Sequence, residues 1–301
     1  NPPYCRNDVY GDLKDLRKRH RQTVRSADAV VLGSYVQNGV EVGTWVAQEA
    51  RGTTAFYDID TPVTLAKLQR GDFEYVSPDL IPQFDIYLSF TGGPTLEVLK
   101  ERYGAQEAKP LYCSFDPAHY YPEQTSSRWD LGYLGTYSDD RQPPLEELML
   151  NAAREAGHRR FVVAGPQYPG TVRWPDNVER IDHLPPSEHR AFYNAQRFTL
   201  NITRADMRRM GYAPSVRLFE AAACGTPIIS DEWPGLDKFF RFDEEILISR
   251  SKDDTLRYLR EVSEDKRRSI GQKARERVLA EHTSAHRAQE LENYLRDRVF
   301  A

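Results

Sequence analysis

The sequence predicts an α/β protein made of two successive open sheets of parallel strands. Three observations carry this. Short apolar runs alternate along the chain with stretches whose apolar residues recur at helical spacing, the pattern of strand–helix–strand units and parallel pairing. The 301 residues, 40% of them hydrophobic, suffice for two domains that each bury a core. Residues 212–233, YAPSVRLFEAAACGTPIISDEW, read as a helix running straight into a buried strand, and the second half is organised around them.

Taken in order, residues 12–27 form a surface helix rich in Lys and Arg, with Leu13, Leu16 and Val24 at helical spacing. Residues 29–32 (AVVL) are an apolar strand whose loop opens at Gly33, Ser34 and Tyr35, and a helix follows over 38–50. A strand over 53–57 ends in Asp58, Ile59, Asp60 and Thr61, before Pro62 and a helix over 63–70. A third strand, 85–90, ends in Thr91, Gly92, Gly93 and Pro94 before a helix to Tyr103, and residues 109–113 make a fourth. Open parallel sheets bind ligands at the carboxyl ends of their strands, which groups the loops around Tyr35, 58–61 and 91–93 on one edge. Residues 117–129 are loop-like, with Pro122, Gln124, Thr125, Ser126 and Ser127, and the domain boundary is expected there. That gives a first domain over 1–125, a second over 126–285 and a final helix over 286–301.

The second series of strands falls at 131–134, 160–164, 178–181, 198–202, 227–229 and 245–248. From residue 253 onward the chain is almost continuously helical, over 254–261, 265–280 and 285–300, and many charges there are solvated faces. The first half has fewer strands and opens on a helix. An opening strand is therefore expected to be missing, by truncation or because the domain is short.

Within 212–233, Pro214 and Ser215 suit a helix start, where proline fits the first turn and serine can accept unpaired backbone N–H groups. Ala221, Ala222, Ala223 and Cys224 let the helix lie close to a sheet, and Gly225 stops it before Pro227, Ile228 and Ile229. The free N–H groups and partial positive charge of such a start suit a phosphate or pyrophosphate. Glu220 breaks the pattern, because a carboxylate in a segment built for burial is costly without a partner. Its partner is either the hydroxyls of a bound ribose or Arg217 in a structural ion pair.

Composition excludes several classes. A net charge of −4, with arginines scattered among nearly equal numbers of acids, argues against a nucleic-acid partner. Cys5, Cys113 and Cys224 form no C-x-x-C pair, so neither a disulfide framework nor a zinc site is implied, and a reducing cytoplasm fits. No apolar run approaches the roughly 18 residues needed to span a bilayer, and no signal peptide is visible.

The run RLFEAAACGTPIIS resembles the E-A-x-A-C-G-x-P-V-I segment of the group 1 glycosyltransferases, whose fold is called GT-B and in which this glutamate binds the nucleotide ribose of a sugar donor. SYVQNGVEVG, FYDIDTPVTLAKL, LSFTGGPTLEVL, LYCSFDP, DLGYLGTYSDDRQPPLE, FVVAGPQYP, RIDHLPPSEH, FTLNITRADM and SVRLFEAAACGTPIISDEWPGLD together resemble the CgeB-like spore-maturation branch over nearly the whole chain. The resemblance implies two Rossmann-like domains with parallel sheets facing across a cleft. It also implies a nucleotide sugar held mainly by the second domain and a C-terminal helix crossing back to the first. Members of the branch usually carry a further opening strand with a glycine-containing loop, in line with the strand count.

Carried over residue by residue, Gly135, Thr136, Tyr137 and Arg141 match the donor-phosphate loop, where a basic side chain pairs with pyrophosphate. The planar fork of arginine suits that work, although read alone Arg141 equally well begins a solvated helix. Gly165 and Pro166 match a loop near the nucleotide, and His183, Leu184 and Pro185 match the segment that brackets the base. Ser215, Arg217 and Glu220 complete the donor set. Related enzymes often carry a second glutamate eight positions before the ribose glutamate, where this chain has Tyr212. The task of that carboxylate falls to Tyr212, Arg204, Asp206 or backbone groups, or is not performed. Tyr35, Thr61, Thr91 and Gly92 are the candidates on the acceptor side.

Asp58 and Asp60 spell D-x-D, the metal-binding motif of the other glycosyltransferase fold, whereas the GT-B architecture usually works without a metal. No metal or other cofactor is therefore expected. At a cleft edge either carboxylate can take a proton from an acceptor hydroxyl or orient it, and Asp60 can alternatively cap the helix that starts at Pro62. The expected function is that of a cytoplasmic, bacterial-type hexosyltransferase moving a sugar from a UDP-, GDP- or dTDP-linked donor to an unknown acceptor. Asp58, Asp60 and Arg141 are its catalytic candidates, and the leaving diphosphate is stabilised by Arg141, the helix start at Ser215 and nearby N–H groups. A nucleotide-sugar epimerase of the same fold and a non-catalytic sugar-nucleotide-binding protein are the alternatives.

Overall fold

The computed structural model of the chain describes residues 4–299. The chain divides into two compact units, one formed by residues up to Leu111 together with the segment from Glu290 on, the other by Tyr112–Gln289.

In the first unit, β1 (Ala29–Gly33), β2 (Thr53–Asp58), β3 (Ile86–Ser89) and β4 (Ala108–Pro110) form a 4-stranded sheet in the order β1-β2-β3-β4, and every pairing is parallel. Helices Leu13–Ser26, Gly39–Glu49, Thr61–Gln69 and Pro94–Tyr103 lie between or before the strands. Buried on both sides, the central strands β2 and β3 read as near-continuous apolar runs, with Ala55, Phe56, Ile86 and Leu88 fully enclosed, whereas Val31 of the edge strand β1 is exposed. Alternation along β2 sends Phe56 to one face and Ala55 to the other. Ala55, Ile86, Leu88 and Leu111 make a cluster covered by Leu291, Tyr294 and Leu295 of the last helix, Ser284–Val299. The Tyr294 hydroxyl donates to the Pro110 carbonyl at 3.1 Å. Of the final helix expected over 285–300, Phe300 lies outside the described residues. The fourth strand is shorter than expected: after Pro110 only the Leu111 N–H reaches β3, at the Ser89 carbonyl, before the chain passes to the second unit.

That passage comes earlier than the loop at 117–129 where the sequence places the boundary. The loop is polar but tied down within the second unit. The Asn194 side chain accepts from the Glu123 N–H at 2.7 Å and donates to the Tyr121 carbonyl at 3.1 Å, and Arg190 pairs with Glu123 at 2.8 Å.

The second unit carries a 6-stranded parallel sheet of β5 (Trp129–Leu134), β6 (Phe161–Ala164), β7 (Val178–Ile181), β8 (Gln196–Asn201), β9 (Ile228–Ser230) and β10 (Leu247–Ile248). Its order is β10-β9-β8-β5-β6-β7. The chain therefore winds outward from β5 in one direction and from β8 in the other, and the crevice between their carboxyl ends is where such sheets bind ligands. The core holds Leu131, Tyr133, Phe161, Val163, Phe198, Leu200 and Ile229. Helix Val216–Ala223 lies against the sheet through Ala221, Ala222 and Ala223, all fully buried. The helix after β5 runs from Gln142 to Glu155 with its middle turn, Glu146–Leu150, wound as π-helix.

Candidate functional site

At the reversal point β5 gives way to Gly135, Thr136 and Tyr137, and this loop is laced to the loop after β6. The Gly135 N–H donates to the Ala164 carbonyl at 2.8 Å, the Tyr137 N–H to the Pro166 carbonyl at 3.0 Å, and the Tyr168 hydroxyl to the Gly135 carbonyl at 3.1 Å. The approach is close enough to demand glycine: Gly165 has φ +140°, and a Cβ there would lie 2.1 Å from the Gly135 carbonyl oxygen. Arg180 sits with its guanidinium over Tyr168 and Trp174 and donates to the Val163 and Gly165 carbonyls, which fixes the second loop. Arg141 braces the first, donating to the Ser138 hydroxyl at 2.8 Å and the Thr136 carbonyl at 2.7 Å.

Across the crevice, Asn201 ends β8 and is fully buried. Its Oδ1 accepts from Arg217 Nη1 and from the Ser215 hydroxyl, both at 2.9 Å, and its Nδ2 donates to the Ser230 hydroxyl at 2.9 Å. Arg217 Nε donates to the Leu134 carbonyl at 2.7 Å, so this arginine straddles the carboxyl ends of β5 and β8. Its guanidinium also lies over the Tyr133 ring. No carboxylate pairs with it among the described residues, Glu220 included. Ser215 does not cap the helix with its side chain, because its hydroxyl is spent on Asn201, and the N–H groups of the first turn stay uncapped by a side chain. Behind this layer the buried Asp231 accepts from the Thr203 N–H and hydroxyl, and burial raises its pKa against those bonds and the charges of Arg208 and Arg217.

One helical turn on, Glu220 is mostly buried, with 12% of its side chain exposed. Its Oε2 accepts from the Tyr193 hydroxyl at 3.2 Å and lies 3.9 Å from His189 Nδ1. Burial, then the nearby Glu220 charge, push the Tyr120 pKa up. A carboxylate has about four acceptor positions, so the bond from Tyr193 leaves room for a diol. His189 Nε2 reaches the Leu184 carbonyl at 3.3 Å, holding the segment after β7, while His183 itself is exposed.

Tyr212 has φ +50° and is held by its N–H on the Pro234 carbonyl at 2.7 Å, with its ring against Gly235. A bulky residue in left-handed backbone is over-determined by its surroundings, a condition that clusters at functional sites. Arg204 precedes helix Ala205–Met210, whose first N–H donates to Asp140 at 2.8 Å. Burial works against the charge of Asp140, but bonds from Ser138 and Ala205 with the nearby Arg204 and Arg141 hold its pKa below the usual range.

In the first unit the expected acceptor residues separate into buried and accessible. Asp58 is fully enclosed: Oδ2 accepts from the Tyr87 hydroxyl at 2.6 Å, Oδ1 from the Asp60 N–H at 3.1 Å and the Thr64 hydroxyl at 3.0 Å, and burial raises its pKa. It is a structural anchor and offers no face to a substrate. Thr61, Thr91 and Gly92 are buried as well, with Thr61 and Thr91 both bonded to the Ser89 hydroxyl. Asp60 does not cap helix Thr61–Gln69 with its carboxylate, which instead accepts from the Tyr35 hydroxyl. Tyr35 stands 49% exposed with φ +68°, its ring 4.6 Å from that of Tyr75.

Asn201, Tyr193, Tyr120, His189 and Asp231 were not singled out from sequence. Asn201 had a signal: it is the polar residue ending an otherwise apolar strand at the reversal point.

Comparison with solved structures places the same fold in proteins of low identity. Sucrose-phosphate synthase from Thermosynechococcus elongatus has TM-score 0.68 at 14% identity, over 96% of this chain and 80% of that one. Anabaena HepE in complex with UDP-glucose has TM-score 0.70 at 13% identity, over 94% and 82%. The pneumococcal O-GlcNAc transferase GtfA in complex with UDP and GlcNAc has TM-score 0.64 at 13% identity, over 95% and 60%. These neighbours make the fold GT-B. The sequence matches no curated protein. A family model described as glycosyl transferase-like matches residues 141–293, from the arginine that braces the β5 loop through the helix carrying Arg217 and Glu220. That match spans half of the chain, and the protein belongs to the glycosyl transferase-like family, whose members move sugars from nucleotide-activated donors.

Proposed function

We propose that the protein is a hexosyltransferase of the CgeB-like branch that uses a UDP-linked sugar and needs no metal. The observation that carries the donor site is Arg217: a cation without a carboxylate partner among the described residues, fixed on the Leu134 carbonyl and Asn201 where the strand order reverses, three residues before Glu220. A diphosphate at this point meets the guanidinium fork and the uncapped N–H groups of helix Val216–Ala223, and charge developing on the leaving group is stabilised there. Arg141, on the loop after β5, adds a second cation. The ribose then reaches Glu220, which the Tyr193 hydroxyl orients and with which no arginine pairs among the described residues. The neighbours found with UDP or UDP-glucose favour uridine as the base. The branch assignment rests on motifs that run through both units, from SYVQNGVEVG to SVRLFEAAACGTPIISDEWPGLD. Cys5, Cys113 and Cys224 are all free thiols, which fits a reducing cytoplasm.

On the acceptor side, Asp60 with the exposed Tyr35 remains as the group that orients or deprotonates the incoming hydroxyl. The test is a thermal-shift and calorimetry panel of UDP-, GDP- and dTDP-sugars, followed by product analysis of the best binder. Stabilisation by UDP-sugars with release of UDP supports the assignment. An epimerised donor, or binding without turnover, replaces it with one of the two alternatives, and no shift with any nucleotide removes it.

A further inference from the structure

The proposed donor site contains a buried polar atom without a partner, Nδ1 of His189. The same ring places Nε2 3.3 Å from the Leu184 carbonyl. A carbonyl only accepts, so Nε2 donates, and Nδ1 lies 3.9 Å from Glu220 Oε2, beyond hydrogen-bond distance. The imidazole edge therefore backs the carboxylate without capturing it, and the Tyr193 hydroxyl holds it from another direction. His189 lies on helix Pro186–Asn194, which also supplies Tyr193 and follows directly on the segment after β7.

We infer that His189 is a positioning residue that locks the Leu184 segment and the Glu220 carboxylate into one rigid unit, so that the base and the ribose of the donor are recognised together. The inference rests on the assignment of Glu220 to the ribose. A fixed carboxylate loses little freedom when it takes up a diol, and a fixed Leu184 backbone presents a constant edge to the base. The ring faces the Leu184 carbonyl and the Glu220 carboxylate, the groups assigned to the base and the ribose, so its contribution belongs to the nucleoside alone.

The experiment measures calorimetric affinity for UMP, UDP and UDP-glucose in wild type, His189→Ala and His189→Gln, and in both His189 variants combined with Glu220→Gln. His189→Ala is expected to weaken all three ligands by the same factor, about tenfold, with kcat at saturating donor within about twofold of wild type. His189→Gln, whose side-chain N–H can replace Nε2–H on the Leu184 carbonyl, should recover most of the loss. In the Glu220→Gln background the His189→Ala penalty should largely vanish, because the two act on one interaction. Unchanged affinity in His189→Ala, a loss confined to the diphosphate ligands, or additive losses in the double variant would each overturn the inference. So would His189→Gln matching His189→Ala in both affinity and a lowered melting temperature, the mark of a merely structural residue. If wild type binds none of the three ligands, the donor-site assignment itself fails and the inference goes with it.

Discussion

Arg217 and Asn201 are joined by a 2.9 Å hydrogen bond from Nη1 to Oδ1, and that bond ties the helix carrying Glu220 to the last residue of β8. Because the acceptor is a neutral amide, the guanidinium keeps its charge for a ligand. A carboxylate in place of Asn201 would satisfy it and close the site to phosphate.

Arg217→Gln is expected to raise the dissociation constant for UDP by roughly 10- to 200-fold, the 1.5–3 kcal/mol of a charge-assisted hydrogen bond, while leaving uridine affinity near wild type. Arg217→Lys should recover only part, since an ammonium cannot reproduce the fork that bridges Leu134 and Asn201. Calorimetry with UDP and uridine checks this, and equal losses for the two ligands would remove Arg217 from the diphosphate.

Glu220→Gln should weaken donor binding by about 1.5–3 kcal/mol with little change in the melting temperature of the unliganded protein. Wild type should also discriminate against the 2′-deoxy donor, and the variant should lose that discrimination. Intact affinity with a large fall in melting temperature would instead make Glu220 a structural group.

Asp58 predicts a pH signature in the fold rather than in the donor site. Burial raises its folded-state pKa, so the stability it contributes is fully present below the unfolded-state carboxyl pKa and is lost as pH rises through the raised value. Asp58→Asn has no such titration. Urea denaturation between about pH 4 and pH 8 should show the balance moving toward the variant as pH rises. Asp58→Ala, which leaves the Tyr87 hydroxyl and the Thr64 side chain without their acceptor, should cost about 1–3 kcal/mol and leave UDP affinity unchanged.

Sugar transfer should survive EDTA, with Arg217, Arg141 and backbone N–H groups neutralising the leaving diphosphate. Loss of activity on chelation, restored by Mn²⁺ or Mg²⁺ and abolished in Asp60→Asn, would overturn metal independence.

The strands were legible because a parallel strand buried on both faces writes a short apolar run, as FVVA does at β6 and FTLN at β8. The helix 216–223 was legible because its small residues have one use, close packing on a sheet. Loop chemistry was harder to read. D-x-D spelled two equivalent carboxylates, yet Asp58 is the last residue of β2 and points into the protein beside Tyr87, while Asp60 turns outward to Tyr35. Ser215 looked like a cap and was taken by Asn201, a residue 14 positions away. Tyr120, His189 and Tyr193 lie 100, 31 and 27 positions from Glu220 in sequence, and no periodicity joins them to it.

The last helix has a consequence for the order in which the protein is made. Leu291, Tyr294 and Leu295 cover Ala55, Ile86, Leu88 and Leu111, and the Tyr294 hydroxyl closes on a carbonyl 184 residues earlier. On a translating ribosome the whole of Tyr112–Gln289 is synthesised between the two sides of that contact. The face of the first sheet that carries Ala55, Ile86, Leu88 and Leu111 waits, without that cover, while the whole of the second unit is made. The nascent chain should therefore engage chaperones through its earliest strands, and release from them should coincide with the arrival of the final helix.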